Sequence, residues 1–156
     1  MNFDNYNFQT EDWVCDLMVS QTPTYYLDVL EPTPGKGNLV NALKRSKFSV
    51  FTPSGDFFDS DLKIKCVVMN PPFSPMNKGY EILYKCMEFS EYIVALMPWL
   101  TIINSEKRTK KINDWGLKKI IHLPRSAFKG SRVQTCILIM EKNYIGDCKI
   151  EFNSKN

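Results

Sequence analysis

Three short apolar runs that stop at proline constrain this chain more than any other feature. YYLDVLEP (25–32), KCVVMNPPF (65–73) and YIVALMP (92–98) each read as a strand halted at Pro32, Pro71 or Pro98, because proline has no N–H with which to continue a ladder. Further strands are expected over FSVFTP (48–53), KKIIHLP (118–124) and QTCILIME (134–141). Between them, TEDWVCDLMVS (10–20), NLVNALKRS (38–46) and NKGYEILYKCMEFS (77–90) carry helical spacing, the first with Thr10 as a candidate cap and Trp13, Leu17 and Met18 on one stripe. Strands that are apolar throughout, alternating with helices, belong in a mostly parallel sheet covered on both faces. An α/β fold in one domain over residues 1–156 is expected, since no repeat, low-complexity stretch or linker divides the chain. In open α/β sheets ligands sit beyond the carboxyl ends of the strands. The chemistry should therefore lie where the prolines stand.

Composition narrows the function. No apolar run approaches the ~18 residues of a membrane span, and the acidic, polar start MNFDNYNFQTEDW is unlike a secretory leader; a cytoplasmic protein without membrane association is expected. The five cysteines include no CxxC pair and His122 is the only histidine, so neither a metal site nor a disulfide framework is expected. Charge is unevenly spread. Residues 1–35 hold six acids and no Lys or Arg, whereas 104–132 hold nine basic residues (Lys107, Arg108, Lys110, Lys111, Lys118, Lys119, Arg125, Lys129 and Arg132) against Glu106 and Asp114. Such polarity suits a face presented to a polyanion, although a solvated helix face explains a run such as KRTKK equally well.

Two motifs carry the chemistry. In LDVLEPTPGKGNL (27–39) a strand turns through Gly35 and Gly37 into a helix, whose free N–H groups and close backbone approach suit a bound ligand. Alone this is also an ordinary strand-turn-helix, because it lacks the third glycine of a dinucleotide fingerprint and the GK[ST] of a phosphate loop. VVMNPPFS (67–74) is sharper, since an Asp, Asn or Ser followed by Pro-Pro-aromatic arises by chance in roughly one chain of this size in 200. Pro71 and Pro72 stiffen the backbone after Asn70 and aim the Asn70 side-chain carbonyl and the Pro71 backbone carbonyl outward. Phe73 adds a flat apolar face. Two acceptors beside a stacking face suit a planar ring bearing an NH2 group.

With these pieces in order, the chain resembles the amino-methylating DNA methyltransferases, specifically the N6-adenine enzymes, over about residues 8–141. The resemblance implies a Rossmann-like class I fold with a C-terminal antiparallel strand, and S-adenosylmethionine (SAM) as cofactor. FQTEDWVCDLMV (8–19) resembles the N-terminal motif, whose threonine, here Thr10, touches the methionine part of SAM. LEPTPGKGN (30–38) resembles the glycine-rich SAM loop, with Glu31, Pro32, Gly35 and Gly37 at the cofactor. GDFFD (55–59) resembles the segment in which an Asp, here Asp56, hydrogen-bonds the SAM adenine, with Phe57 alongside. NPPF (70–73) is the catalytic tetrapeptide of the resemblance, with Asn70 also reaching the cofactor. LPRSAFKGSRVQTCILIM (123–140) resembles the late hairpin, in which Phe128 would hold a flipped base while Lys129 and Arg132 flank it.

The resemblance implies direct transfer of the SAM methyl to adenine N6 in DNA, the amino group being held by Asn70 and Pro71 and the extruded base stacked on Phe73. Two departures stand out. The second strand reads SVFTPSG (49–55), with Thr52 or Ser54 where the family places a ribose-binding acid; losing that charge-assisted bond predicts SAM binding weaker by about one or two kcal/mol. No separate target-recognition domain is expected after the late hairpin, so relaxed or short recognition, or a partner subunit supplying it, is expected. A short chain rich in Asn and Lys suits a phage or a restriction-modification setting. The alternatives are methylation of RNA adenine or protein glutamine, or a non-catalytic SAM- or DNA-binding subunit.

Overall fold

Among the described residues, six of the seven strands of the central sheet run in the same direction. A computed structural model describes residues 10–128 and 133–153. In chain order the strands are β1 (Asp28–Leu30), β2 (Ser49–Phe51), β3 (Cys66–Met69), β4 (Tyr92–Pro98), β5 (Leu117–His122), β6 (Thr135–Glu141) and β7 (Lys149–Phe152), and they assemble in the order β2-β1-β3-β4-β6-β5-β7. Only β6 is antiparallel to its neighbours. The helices are α1 (Asp12–Ser20), α2 (Asn38–Arg45), α3 (Met76–Phe89), α4 (Leu100–Ile103) and α5 (Glu106–Gly116).

Alternate residues of the inner strands feed two separate cores. Val29, Cys66, Val68, Val94, Leu96, Ile137 and Ile139 face α1 and α2, whose Val14, Met18, Leu39 and Leu43 are buried against them. Val67, Met69, Ile93, Ala95, Leu138 and Met140 face α3 and α5 through Ile82, Leu83, Cys86 and Ile112. This helix-sheet-helix sandwich explains why β3 and β4 are apolar at every position: neither face meets water. Cys15, Cys66, Cys86 and Cys136 are buried within it as small apolar groups. Burial pushes the thiols of Cys15, Cys66 and Cys136 up to about 12.

Several elements differ from the sequence reading. The strand expected over 25–32 is only Asp28–Leu30. The buried stripe of α1 is Val14, Cys15, Met18 and Val19, with Trp13 and Leu17 partly covered. Thr10 does not cap that helix; Glu11 stands at the N-cap and makes no side-chain capping bond. The antiparallel strand β6 is not the last, because β7 follows and pairs in parallel with β5. The basic run 107–111 lies within α5.

Sheet order places the site. From β1 the chain moves outward to β2 and then returns to β3 on the other side of β1. A crevice opens beyond the carboxyl ends where the winding reverses, and here Glu31 and Asn70 follow directly on β1 and β3. No helix among the described residues is long and apolar enough to cross a membrane.

Candidate active site

Glu31, the residue after β1, is 1% exposed. Its backbone N–H still bonds to the Phe51 carbonyl at 3.0 Å, holding the strand end to β2. Its carboxylate accepts the Thr33 N–H at 2.8 Å. Burial raises the Glu31 pKa to about 7, opposed by hydrogen bonds from Thr33 and from the backbone of Asn70. Pro32, also buried, turns the chain away from the strand.

The glycines then do what the turn demands. Gly35 and Gly37 adopt left-handed φ of +52° and +91°, conformations that glycine takes without strain. Gly37 is the N-cap of α2 and its N–H closes a 2.8 Å bond to the Pro34 carbonyl. A Cβ built on Gly35 would meet no atom within 4 Å. The loop therefore faces open space above the switch point, beside a buried acid and a helix N-terminus.

Asn70 is gripped from both flanks. Thr33 Oγ1 donates to the Asn70 backbone carbonyl at 3.3 Å, bridging the β1 and β3 loops. The Asn70 side-chain Nδ2 donates to Thr10 Oγ1, and the Thr10 carbonyl accepts Asn38 Nδ2 at 3.3 Å. The elements after β1 and β3, the start of α2 and the segment before α1 thus meet at one point. Pro71 is buried and Pro72 partly so. Gly79 of α3 lets them lie close, since a Cβ there would stand 3.1 Å from the Pro72 carbonyl oxygen.

Phe73 is partly buried against the α1–α2 side core. Its ring meets that of Phe128 edge to face, with centroids 5.8 Å apart. Phe128 is 4% exposed. A planar base stacked between two rings needs about twice the 3.5–4.0 Å carbon–carbon contact distance, so the closed pair leaves no slot between its members. Lys129 and Arg132 lie outside the described residues.

Asp56 caps a short 3-10 turn, Phe57–Asp59, by accepting the Phe58 N–H at 2.9 Å through Oδ1. Asp56 and Phe58 are exposed, whereas Phe57 is buried on the α3 side. Lys85 fastens this turn to α3. Its Nζ donates to the carbonyls of Phe57 and Ser60 and lies 4.3 Å from the Phe57 ring centroid.

The basic segment does not form one face. Arg108 closes the end of α4, donating to the Thr101 carbonyl at 2.8 Å and the Leu100 carbonyl at 3.0 Å while stacking 3.7 Å over the Tyr80 ring. Lys110 pairs with Asp114, and Lys111 lies 4.1 Å over the Tyr84 ring. Lys118 and Lys119 sit at the start of β5, where Leu117 aligns with Met140 and so with Ile93 at the far end of β4 from Pro98. They pair there with Glu141 and Glu151. The expectation of a single polyanion-facing surface over residues 104–132 is therefore corrected for Lys118 and Lys119: β5 is long enough to carry them to the edge of the sheet opposite Asn70. His122, at the near edge, accepts the Trp99 indole N–H on Nδ1 at 2.9 Å. Among the described residues no cluster of three or more His, Cys, Asp or Glu is placed to hold a metal.

Sequence reasoning missed Thr33, Asn38, Gly79 and Lys85. Thr33 stands between two prolines, and that spacing was its only available signal.

No protein-family model and no curated protein matches the sequence. Solved structures do match. A methyltransferase subunit of a type I restriction-modification system from Streptococcus thermophilus superposes with a TM-score of 0.71 at 15% identity, covering 96% of this chain and 49% of its own. A proposed class I SAM-dependent methyltransferase from Listeria monocytogenes gives 0.66 at 16%, covering 92% and 64%. The 23S rRNA methyltransferase ErmE gives 0.57 at 17%, covering 88% and 71%. The chain thus spans half to two thirds of the length of the first two. It has the α/β fold of the class I SAM-dependent methyltransferases.

Proposed function

We propose that this chain transfers a methyl group from SAM to the exocyclic N6 of adenine in DNA. The observation that carries the proposal is the fixed Asn70-Pro71-Pro72-Phe73 turn at the switch point, held by Thr10 and Thr33. The open glycine loop fits the cofactor: Glu31, Pro32, Gly35 and Gly37 would hold it from the β1 side, Asp56 and Phe57 near its adenine, and Thr10 near its methionine part. When bound, it supplies an electrophilic methyl on sulfonium sulfur. The protein then has to position the amine. Asn70 Oδ1 and the Pro71 carbonyl accept the two N6 hydrogens, turning the nitrogen lone pair toward the methyl. The N–C bond forms as the C–S bond breaks. Asn70 Oδ1 and the Pro71 carbonyl would also stabilise the positive charge that N6 gains on accepting the methyl, until one of its protons passes to water. No protein nucleophile is required.

Phe73 offers its face to the extruded base. Phe128 would hold the base as well, provided the edge-to-face pair separates to admit it. Lys107 and Arg125 at the near edge, with Lys129 and Arg132, would meet phosphates. Both a restriction-modification subunit and an rRNA methyltransferase are among the structural neighbours; DNA is taken as the substrate from the resemblance of the motifs, and a partner subunit supplying recognition fits the first likeness.

The test is incubation of the full chain with methyl-labelled SAM and either unmethylated DNA or RNA, followed by digestion to nucleosides. Label in N6-methyladenine from DNA supports the proposal. Label only in RNA, or on another base, overturns the substrate assignment.

A further inference from the structure

Residues 52–65 run from the end of β2 to the start of β3 and carry Asp56, the carboxylate proposed to hold the SAM adenine. Their one helical piece among the described residues is the 3-10 turn Phe57–Asp59. The backbone bonds of this path are local. The Asp59 N–H donates to the Asp56 carbonyl at 3.1 Å and the Ser60 N–H to the Phe57 carbonyl at 3.0 Å, while the Leu62 N–H donates to Ser60 Oγ at 3.1 Å. Phe57, Leu62 and Ile64 pack against the α3-side core, but apolar contact has no direction. A carboxylate that must meet one amino group within hydrogen-bond distance and angle needs a directional anchor as well.

Lys85 supplies it. Among the described residues, its bonds are the hydrogen bonds that join residues 52–64 to another element. Nζ donates to the carbonyl of Phe57, the first residue of the turn, and at 3.3 Å to that of Ser60, its C-cap. The ammonium also lies 4.3 Å from the Phe57 ring centroid and 5.7 Å from that of Phe58, where the ring faces attract a cation. The base of the side chain is equally fixed, because Ile82, Leu83, Cys86 and Met87 around it on α3 are buried. Within the turn, Asp56 Oδ1 accepts the Phe58 N–H at 2.9 Å, which leaves Oδ2 for a donor from outside the protein. The same helix carries Gly79 against the Pro72 carbonyl. One rigid element thus sets the Asp56 turn and the Asn70–Phe73 turn relative to each other.

We infer that Lys85 is a positioning residue for the cofactor: by gripping the carbonyls of Phe57 and Ser60, it places the Asp56 carboxylate against the exocyclic amino group of the SAM adenine. This rests on the SAM-binding reading and deepens it, since Lys85 acts through Asp56 and belongs to none of the motifs that carry the resemblance. Methionine at this position keeps the stem over Phe57 but has no donor. Glutamine keeps a polar end but stops one bond short of the Nζ position, out of reach of both carbonyls.

The experiment measures, by calorimetry on the full chain, the affinity for S-adenosylhomocysteine and for its counterpart with hypoxanthine in place of adenine. Hypoxanthine has a carbonyl oxygen where adenine has its amino group, so it cannot donate to Asp56 at that position. Wild type should prefer the adenine ligand by about 10- to 100-fold, the range of a hydrogen bond to a charged group. In Lys85→Met the preference should fall below about threefold. Asp56→Ala should lose it too, and adding Lys85→Met to Asp56→Ala should change it by less than about twofold, because the two residues act through one contact. A purely structural role would weaken both ligands alike and leave the ratio unchanged. Lys85→Gln should show the same collapse and decides the matter where the methionine variant does not fold. A wild-type preference retained in either Lys85 variant would overturn the inference, as would a further loss when Lys85→Met is added to Asp56→Ala. A wild type that binds both ligands equally would overturn the inference while leaving SAM binding intact. A wild type that binds neither would overturn the SAM reading and the inference with it.

Discussion

Replacing Glu31 by glutamine, followed across pH, probes the buried acid on which the switch point is built. The Glu31 carboxyl rises from its ordinary 4.5 to about 7, chiefly through burial. A group whose pKa is higher folded than unfolded binds its proton more tightly in the folded state. The stability this confers is fully present below about pH 4.5 and is lost as pH rises through about 7. At about 1.4 kcal/mol per pH unit, the loss amounts to about 3 kcal/mol by pH 8.5. Glutamine has nearly the shape of the protonated acid, keeps an oxygen for the Thr33 N–H and has no proton to lose. Thermal melts of wild type and Glu31→Gln without ligand should therefore coincide near pH 4, whereas near pH 8.5 the variant should be more stable by about 1–3 kcal/mol, several degrees in melting temperature. All other titrating groups are common to both proteins and cancel in the difference. Melting curves that stay parallel from about pH 4 to 8.5 would refute the reasoning, as would a variant less stable at high pH.

Two further substitutions test the geometry around the site. Gly79→Ala should press its methyl against the Pro72 carbonyl oxygen, 3.1 Å from the position a Cβ would take, and lower turnover about 10-fold with little change in melting temperature; unchanged turnover would show that α3 does not fix the loop. Arg108→Met keeps the stem over Tyr80 but removes the bonds to the ends of α4; it should destabilise the fold by about 1–3 kcal/mol without altering the salt dependence of DNA binding, whereas a shallower salt slope would make Arg108 a phosphate contact.

What the sequence made legible follows from burial. β3, β4 and β6 are covered on both faces, so each appears as an unbroken apolar run whose limits lie within a residue or two of the expectation. β7 was invisible because its apolar residues, Ile150 and Phe152, are exposed on an edge strand where no core demands a pattern. α5 buries only Ile112 and Gly116 along its length, too few to leave a helical stripe through the basic run. The motif residues Glu31, Gly35, Gly37 and Asn70 were legible because each sits at a strand end beside a proline or in a glycine turn. Thr10 and Thr33 acquire their partners only when β1 and β3 lie side by side, a juxtaposition that spacing along the chain does not record. The basic segment misled because a sum of charges carries no direction, and the length of β5 separates Lys118 and Lys119 from the edge that holds Asn70.

The central claim, methyl transfer to adenine N6 at Asn70, is tested most directly by comparing wild type with Asn70→Ala on unmethylated DNA at saturating labelled SAM. SAM binding by calorimetry and melting temperature serve as controls. The account predicts N6-methyladenine from wild type and a loss of at least about a hundredfold in the variant, which should still fold and bind SAM, because the lost Asn70 carbonyl acts on the substrate amine. A variant that retains wild-type transfer, or a wild type that binds SAM yet methylates neither DNA nor RNA, would contradict it.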